Sequence, residues 1–277
     1  MYPVSYLEKQ KAFSLIEISI VLVIIGLIIA GIVGGQQLIE NSKTTSTIVE
    51  IGHYDALSAN FKSKYKVLPG DDLNLQTKFR ASENDPAVDK DGNELHNGNN
   101  DGFIGDNNSD NPALEQESLS FFQTLYLSKI LEKNYTGQIP TTDSEPDITK
   151  INKDGVQHYP TSKLGNDSFL YIRTDDFDNK FEKQTRVSIG VPSATKGSVS
   201  TRIAKKIDKK GDDDNPLTGK IITMDANTAQ AKCLSSNGTP TSLDDLTTYE
   251  EITTATYNVN ISTKNESACI IMKNLNL

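Results

Sequence analysis

The residue types that most often carry catalysis are sparse here. The three histidines, His53, His96 and His158, are widely separated in the chain. No HExxH, no GxSxG and no GKS or GKT phosphate loop occurs. Acidic pairs are frequent but sit in Asn-rich turns, where solvated carboxylates are the default, so no residue is assigned a catalytic role and the chain is not expected to be an enzyme. One stretch has metal-ligand spacing: NGNNDGFIGDNN, residues 97–108, partly fits an EF-hand-type calcium loop. Asn97, Asn99 and Asp101 take positions one, three and five, Gly102 the sharp turn and Ile104 the hydrophobic position, with Asp106 and Asp110 close by. Position twelve is Asn108 rather than a bidentate Glu, so two readings stand: calcium held by Asn97, Asn99, Asp101 and Asp106, or an Asn/Gly/Asp turn cluster. A second cluster, KKGDDDNPLTGK (209–220), reads as a turn feeding a strand. The only two cysteines are Cys233 and Cys269; if this part of the chain is exported they can oxidise, closing a loop worth roughly 3–4 kcal/mol.

The remaining reactive residue is a misplaced charge. KAFSLIEISIVLVIIGLIIAG, residues 11–31, is almost wholly apolar, yet Glu17 lies inside it. An ionised side chain within a bilayer costs roughly 2.5–3.5 kcal/mol on insertion scales, so a plain anchor gains nothing from it. From Ile18 to Gly35 the chain carries no charge, long enough to cross a hydrocarbon core of about 30 Å. A removable secretory signal fits poorly, because IIAGIVGGQQ offers no clear A-x-A site and the run exceeds the usual apolar length. What remains is a plain anchor, or an anchor that also drives polymerisation. Lys9 and Lys11 before the span favour a cytoplasmic N-terminus and an exported body.

KAFSLIEISIVLVIIGLI resembles the N-terminus of type IV pilin-like and type II secretion pseudopilin precursors: a short basic leader, a small residue, Phe, then a Ser-Leu-Ile-Glu run opening a long apolar helix. The resemblance implies that a prepilin peptidase cuts between Ala12 and Phe13 and N-methylates Phe13, leaving Glu17 as the fifth residue of the mature chain. Gly is commoner before the cut, so Ala12 predicts slower processing. The resemblance also implies a physical use for Glu17. Cleavage exposes an ammonium on Phe13, and a carboxylate one turn into the helix can pair with that ammonium on a neighbouring subunit. A buried charge whose partner lies on another chain rewards assembly and penalises the lone subunit.

These residues need a scaffold. Small residues four apart at Gly26, Ala30 and Gly34 let helices approach closely in lipid or in a filament core. Gly34-Gly35 and the β-branched KTTSTIV are expected soft points. Ile48, Ile51, Tyr54 or Asp55, Leu57, Phe61 and Tyr65 form a stripe at helical spacing that ends at Pro69-Gly70. The spacing thus predicts one transmembrane and stem helix over 13–66, roughly 80 Å long at 1.5 Å per residue, after a leader over 1–12. Residues 67–277 form the head. They open with a long loop over 68–111, followed by a helix from Pro112 to about Lys133 with Leu119, Phe122, Leu125 and Ile130 inward. β-like runs come next at 168–174, 186–191, 219–225, 257–262 and 268–274, with a helix over 197–210. The expected fold is α+β and pilin-like: a long N-terminal helix packed on an antiparallel sheet with long loops. Beyond residue 66 the chain resembles, more loosely, a bacterial group defined only by its prepilin-type N-terminus. YKVLPGDD, an Asn/Gly/Asp loop, ESLSFFQTLYLSKIL and IDKKGDDDNPLTGKI are the shared features.

Charge narrows the partners. Residues 1–43 hold three Lys and three acids, so the formal net charge of −9 lies in the rest of the chain, which argues against nucleic acid as a partner. The resemblance implies a subunit of a type IV pilus or type II secretion pseudopilus, in the bacterial inner membrane with its head in the periplasm. Its partners would be a prepilin peptidase, other pilin or pseudopilin subunits, an inner-membrane assembly platform and lipid. A mature chain of 265 residues is long for a major subunit, which favours a minor one, while Glu17 sets it apart from the large tip pseudopilin. The alternative is a calcium-dependent adhesive or binding head on a membrane stem.

Overall fold

The structure, a computed structural model, describes residues 14–83, 88–105, 116–138, 141–142, 145–146, 151–152, 157–165, 168–175, 182–191, 198–225, 233–236, 239–241, 246, 248–258 and 267–275. The chain divides into two compact units, Met1–Ser42 and Lys43–Leu277. Helix α1, Leu15–Tyr65, runs through the boundary between them. Within the first unit every described residue of α1 is exposed or half-exposed, the apolar ones included: Leu15 is 88% and Leu27 70% exposed. The helix is long and apolar enough to cross a membrane, which explains an apolar surface that water would penalise.

Both expected soft points are regular helix in the structure. At KTTSTIV the reason is packing. Thr44 and Thr47 are buried, and the Thr47 hydroxyl donates to the Lys43 carbonyl at 2.8 Å, so tertiary burial overrides weak propensity. The buried stripe of the stem is accordingly more polar than expected. Thr44, Thr47 and Ser58 join Ile51, Tyr54, Asp55 and Phe61, whereas Ile48, Leu57 and Tyr65 are only partly buried. Asp55 reaches the core because Lys273 Nζ meets its Oδ2 at 2.8 Å. The helix stops at Lys66, before Pro69-Gly70. Lys66 adopts φ 66° and its N–H returns to the Lys62 carbonyl at 2.8 Å, closing the helix in the left-handed manner usually reserved for glycine.

The head contains, in order, α2 (Leu75–Phe79), α3 (Gln116–Leu127), β1 (Thr141–Thr142), β2 (Glu145–Pro146), β3 (Phe169–Asp175), β4 (Gln184–Gly190), β5 (Val199–Ser200), α4 (Thr201–Gly211), β6 (Ile221–Asp225), β7 (Leu234–Ser236), β8 (Thr239–Thr241), α5 (Tyr249–Thr254), β9 (Thr256–Tyr257) and β10 (Ser267–Asn274). The central sheet is antiparallel and built around β10. Ile271 pairs with Ile189 of β4 on one side and Thr223 of β6 on the other; β3 extends the sheet beyond β4, and β5 pairs with the start of β10. Consecutive residues of β10, Cys269 to Met272, are all buried, so both faces of the sheet are covered. Ile51, Tyr54 and Phe61 of the stem belong to the same core cluster as Phe122, Leu125, Val187 and Ile271, the layering of a long helix on an antiparallel sheet. A smaller sheet, β8-β7-β9, lies beside it in sequence, with Leu234 pairing Thr241 and Tyr257.

Several boundaries differ from expectation. The helix predicted to run to about Lys133 ends at Leu127, because Lys129 turns left-handed at φ 61° and the Ile130 and Leu131 N–H groups both fold back to the Leu125 carbonyl. Its start, residues 112–115, lies outside the described residues. The helix expected over 197–210 begins only at Thr201, because Val199 and Ser200 are drawn into pairing with β10. Of the strand expected over 257–262, Tyr257 is in β9, Asn258 is not, and the rest lies outside the described residues. The loop expected over 68–111 contains a short helix, α2, and a Val88–Glu94 bridge.

Candidate functional site

Among the described residues, two of the places singled out from the sequence can be placed. The first is the start of α1. Ser14 precedes the helix, its hydroxyl accepts the Ile16 N–H at 3.4 Å, and Glu17 Oε2 accepts the Ser14 N–H at 2.8 Å. This is half of a capping box, in which a carboxylate three residues in reaches back to an orphan amide. The local sequence Ser-x-x-Glu carries the signal for this cap. The Glu17 carboxylate is exposed and needs only one oxygen for the cap, which leaves the other free to meet an incoming cation. Around it the apolar side chains from Leu15 to Ile39 are unburied, and a methyl group built on Gly26, Gly31 or Gly34 would meet nothing within 4 Å. A second helix could therefore approach this surface to backbone distance. Ala12 and Phe13 lie outside the described residues.

Residues 8–33 match the prokaryotic N-terminal methylation motif. The chain carries a prepilin-type N-terminal motif. A structural, pilin-like subunit with a transmembrane helix and membrane anchoring is what that motif implies together with the long apolar helix. Comparison with curated proteins and with solved structures gives no match.

The second place in this prepilin-type chain is the loop expected to hold calcium. Asn97 Oδ1 accepts the Gln76 N–H at 2.9 Å, Asn99 Oδ1 accepts the Asp101 N–H at 2.9 Å, and Asp101 Oδ1 accepts the Phe103 N–H at 2.9 Å. Asp106 lies outside the described residues. The residues that organise the loop are ones the motif did not include. The carboxylate of Asp71 accepts the N–H groups of Asp101 at 3.2 Å and Gly102 at 3.1 Å, and that of Glu117 accepts those of Asn99 at 2.8 Å and Gly105 at 2.9 Å. Backbone amides thus turn inward onto two acids, Glu117 on α3 and Asp71 a few residues beyond the stem. Gly98 makes this possible, since a side chain there would run into the backbone of Asp71.

Asp71 is 1% exposed. Its carboxyl is pushed up to about 6, first by burial and then by the Glu117 and Asp101 charges, against the pull of the Gly102 and Asn100 amides. An unfolded aspartate titrates near about 3.9, so the folded chain binds this proton more tightly than the unfolded one. Lowering the pH through about 6 towards 4 should therefore stabilise the head, by about 1–2 kcal/mol, and raising it again removes that gain. In calcium-free buffer the melting temperature should be higher near pH 5 than near pH 7.5, and Asp71→Asn should flatten that window. An unchanged slope in the variant would assign the effect to another group.

Proposed function

We propose that the protein is a structural subunit cut between Ala12 and Phe13, N-methylated on Phe13, and assembled through α1 into a type IV pilus or type II secretion pseudopilus as a minor component. The observation that carries the reading is the methylation motif over 8–33, joined to an exposed Glu17 at the head of an unburied apolar helix. In this reading the N-terminus begins in the cytoplasm, α1 crosses the inner membrane and the head stands in the periplasm. A prepilin peptidase, an inner-membrane assembly platform and neighbouring subunits are its partners, with lipid around α1 before assembly. Mass spectrometry of the protein from isolated membranes should find a chain starting at N-methyl-Phe13. An intact Met1 in cells with an active prepilin peptidase would leave a plain anchor.

A second reading, a calcium-dependent adhesive head on a membrane stem, draws on the crowding of Asp71, Asp101 and Glu117 at the loop over 97–105. It requires attachment to fail on chelation while assembly persists.

A further inference from the structure

The segment IDKKGDDDNPLTGKI, read from sequence as a turn, gathers four acids within seven residues. Asp208 sits in the last turn of α4 and is fully buried, Asp212 is half-buried and Asp213 is exposed. One carboxylate oxygen from each of these three lies within 4.8 Å of the other two. Most of the oxygens have structural duties. Asp208 Oδ2 accepts the Tyr257 hydroxyl at 2.8 Å, and Asp212 Oδ2 accepts the N–H groups of Lys220 and Ile221. Asp213 accepts the Asn215 N–H at 2.9 Å and the Thr218 hydroxyl at 2.5 Å. Asp208 Oδ1 is the exception: it is buried with no hydrogen-bond partner, and Asp214 Oδ1 is in the same condition.

A buried carboxylate oxygen without a donor is costly, and the usual remedy is an ammonium or guanidinium. Among the described residues no Lys or Arg forms an ion pair with Asp208, Asp212, Asp213 or Asp214. Lys210, which is near in sequence, instead donates to Thr45 Oγ1 at 2.6 Å. The C-terminal carbonyls of α4 add further negative potential at this end of the helix.

We propose that Asp208, Asp212 and Asp213 form a calcium-binding site at the junction of α4 and β6. The donor set is all oxygen and contains no His or Cys, which selects a hard cation. Calcium takes ligands at about 2.3–2.6 Å, so oxygens on opposite sides of the ion stand about 4.6–5.2 Å apart, and the observed spread fits inside that shell. Magnesium, at about 2.0–2.1 Å, spans only about 4.2 Å and prefers a stricter octahedron. An ion here would join three elements: α4 through Asp208, the first residue of β6 through Asp212, and β9 through the Tyr257 hydroxyl. The site is separate from the loop over 97–105 and does not depend on how α1 assembles.

Tyr257 supplies a built-in reporter, because terbium is a luminescent substitute for calcium that tyrosine sensitises at short range. The full-length protein in detergent micelles, stripped with EDTA and exchanged into chelator-free buffer, should show one saturable terbium signal under tyrosine excitation, displaced by Ca2+. Asp208→Asn and Asp213→Asn should each weaken Ca2+ displacement at least about 10-fold, and Asp101→Asn should leave it unchanged. Asp213 is exposed, so its variant keeps the test valid if Asp208→Asn fails to fold. No saturable signal in the wild-type protein overturns the proposal. So does a signal lost in Asp101→Asn but retained in Asp213→Asn, which would place the ion in the loop over 97–105.

Discussion

Glu17→Gln should cut the assembled fraction of the protein about 100-fold, while membrane levels of the subunit stay unchanged. The variant separates the two duties that the structure gives this residue. A glutamine carbonyl can still accept the Ser14 N–H now held at 2.8 Å, so the helix remains capped. What it loses is the negative charge that would meet the Phe13 ammonium of a neighbour. Leaving that ammonium unpaired in a low-dielectric filament core costs about 3–5 kcal/mol, or at least two powers of ten in association. Glu17→Ala removes both duties and should assemble no better than Glu17→Gln. The measurement is the amount of subunit in sheared surface filaments, or in cross-linked ladders if the assembly stays in the envelope. Wild-type assembly by Glu17→Gln would reduce Glu17 to a helix cap and undo the pairing argument.

Loss of the disulfide should have the largest effect on stability. The sulfurs of Cys233 and Cys269 are bonded, with Cα atoms 5.5 Å apart and a sequence separation of 36. Cys269 lies in β10, at the centre of the main sheet, and Cys233 immediately precedes β7 of the small one. The bond therefore ties together two sheets that otherwise meet mainly through side chains such as Tyr257, whose hydroxyl bonds Thr223 of β6 at 2.9 Å. Removing a cross-link of this loop length costs about 3–4 kcal/mol, which in a domain of this size lowers the melting temperature by roughly 6–16 °C. A double Cys→Ala variant, or wild-type protein melted with a reductant, should show that fall. A shift under about 3 °C would mean that packing alone holds the sheets together.

The parts of this protein that read directly from the sequence are those set by local pattern. Charge-free residues from Ile18 to Gly35 specify a spanning helix on their own, because lipid leaves backbone amides no partner outside the helix. The position of Glu17 within that run, and the residues before it, were enough to point to the prepilin-type motif now matched at 8–33. Strands β3, β4, β6 and β10 were visible as short β-branched and aromatic runs because each is buried on both faces. Some of what was missed was also local. Thr248 and Glu251 form a complete capping box that starts α5, and Ser14 with Glu17 forms half of one at α1.

Other features were set by contacts between segments distant in sequence. KTTSTIV falls within the helix expected over 13–66 but reads as a soft point, and its local pattern does not show that Thr44 and Thr47 are buried in the core. Lys66 and Lys129 end their helices in a conformation that sequence rules reserve for glycine, and the surrounding packing holds them there. Asp71 and Glu117 stand 46 positions apart in the chain, yet both grip the loop over 97–105, so a motif scan of that loop alone could not find them. The same holds for Asp208. Its sequence context reads as a solvated turn, and only the closing of β6, β9 and α4 around it strips away its water and leaves an oxygen without a donor. Periodicity along a chain records which face of an element is buried, but the identity of what lies opposite is decided when distant segments meet.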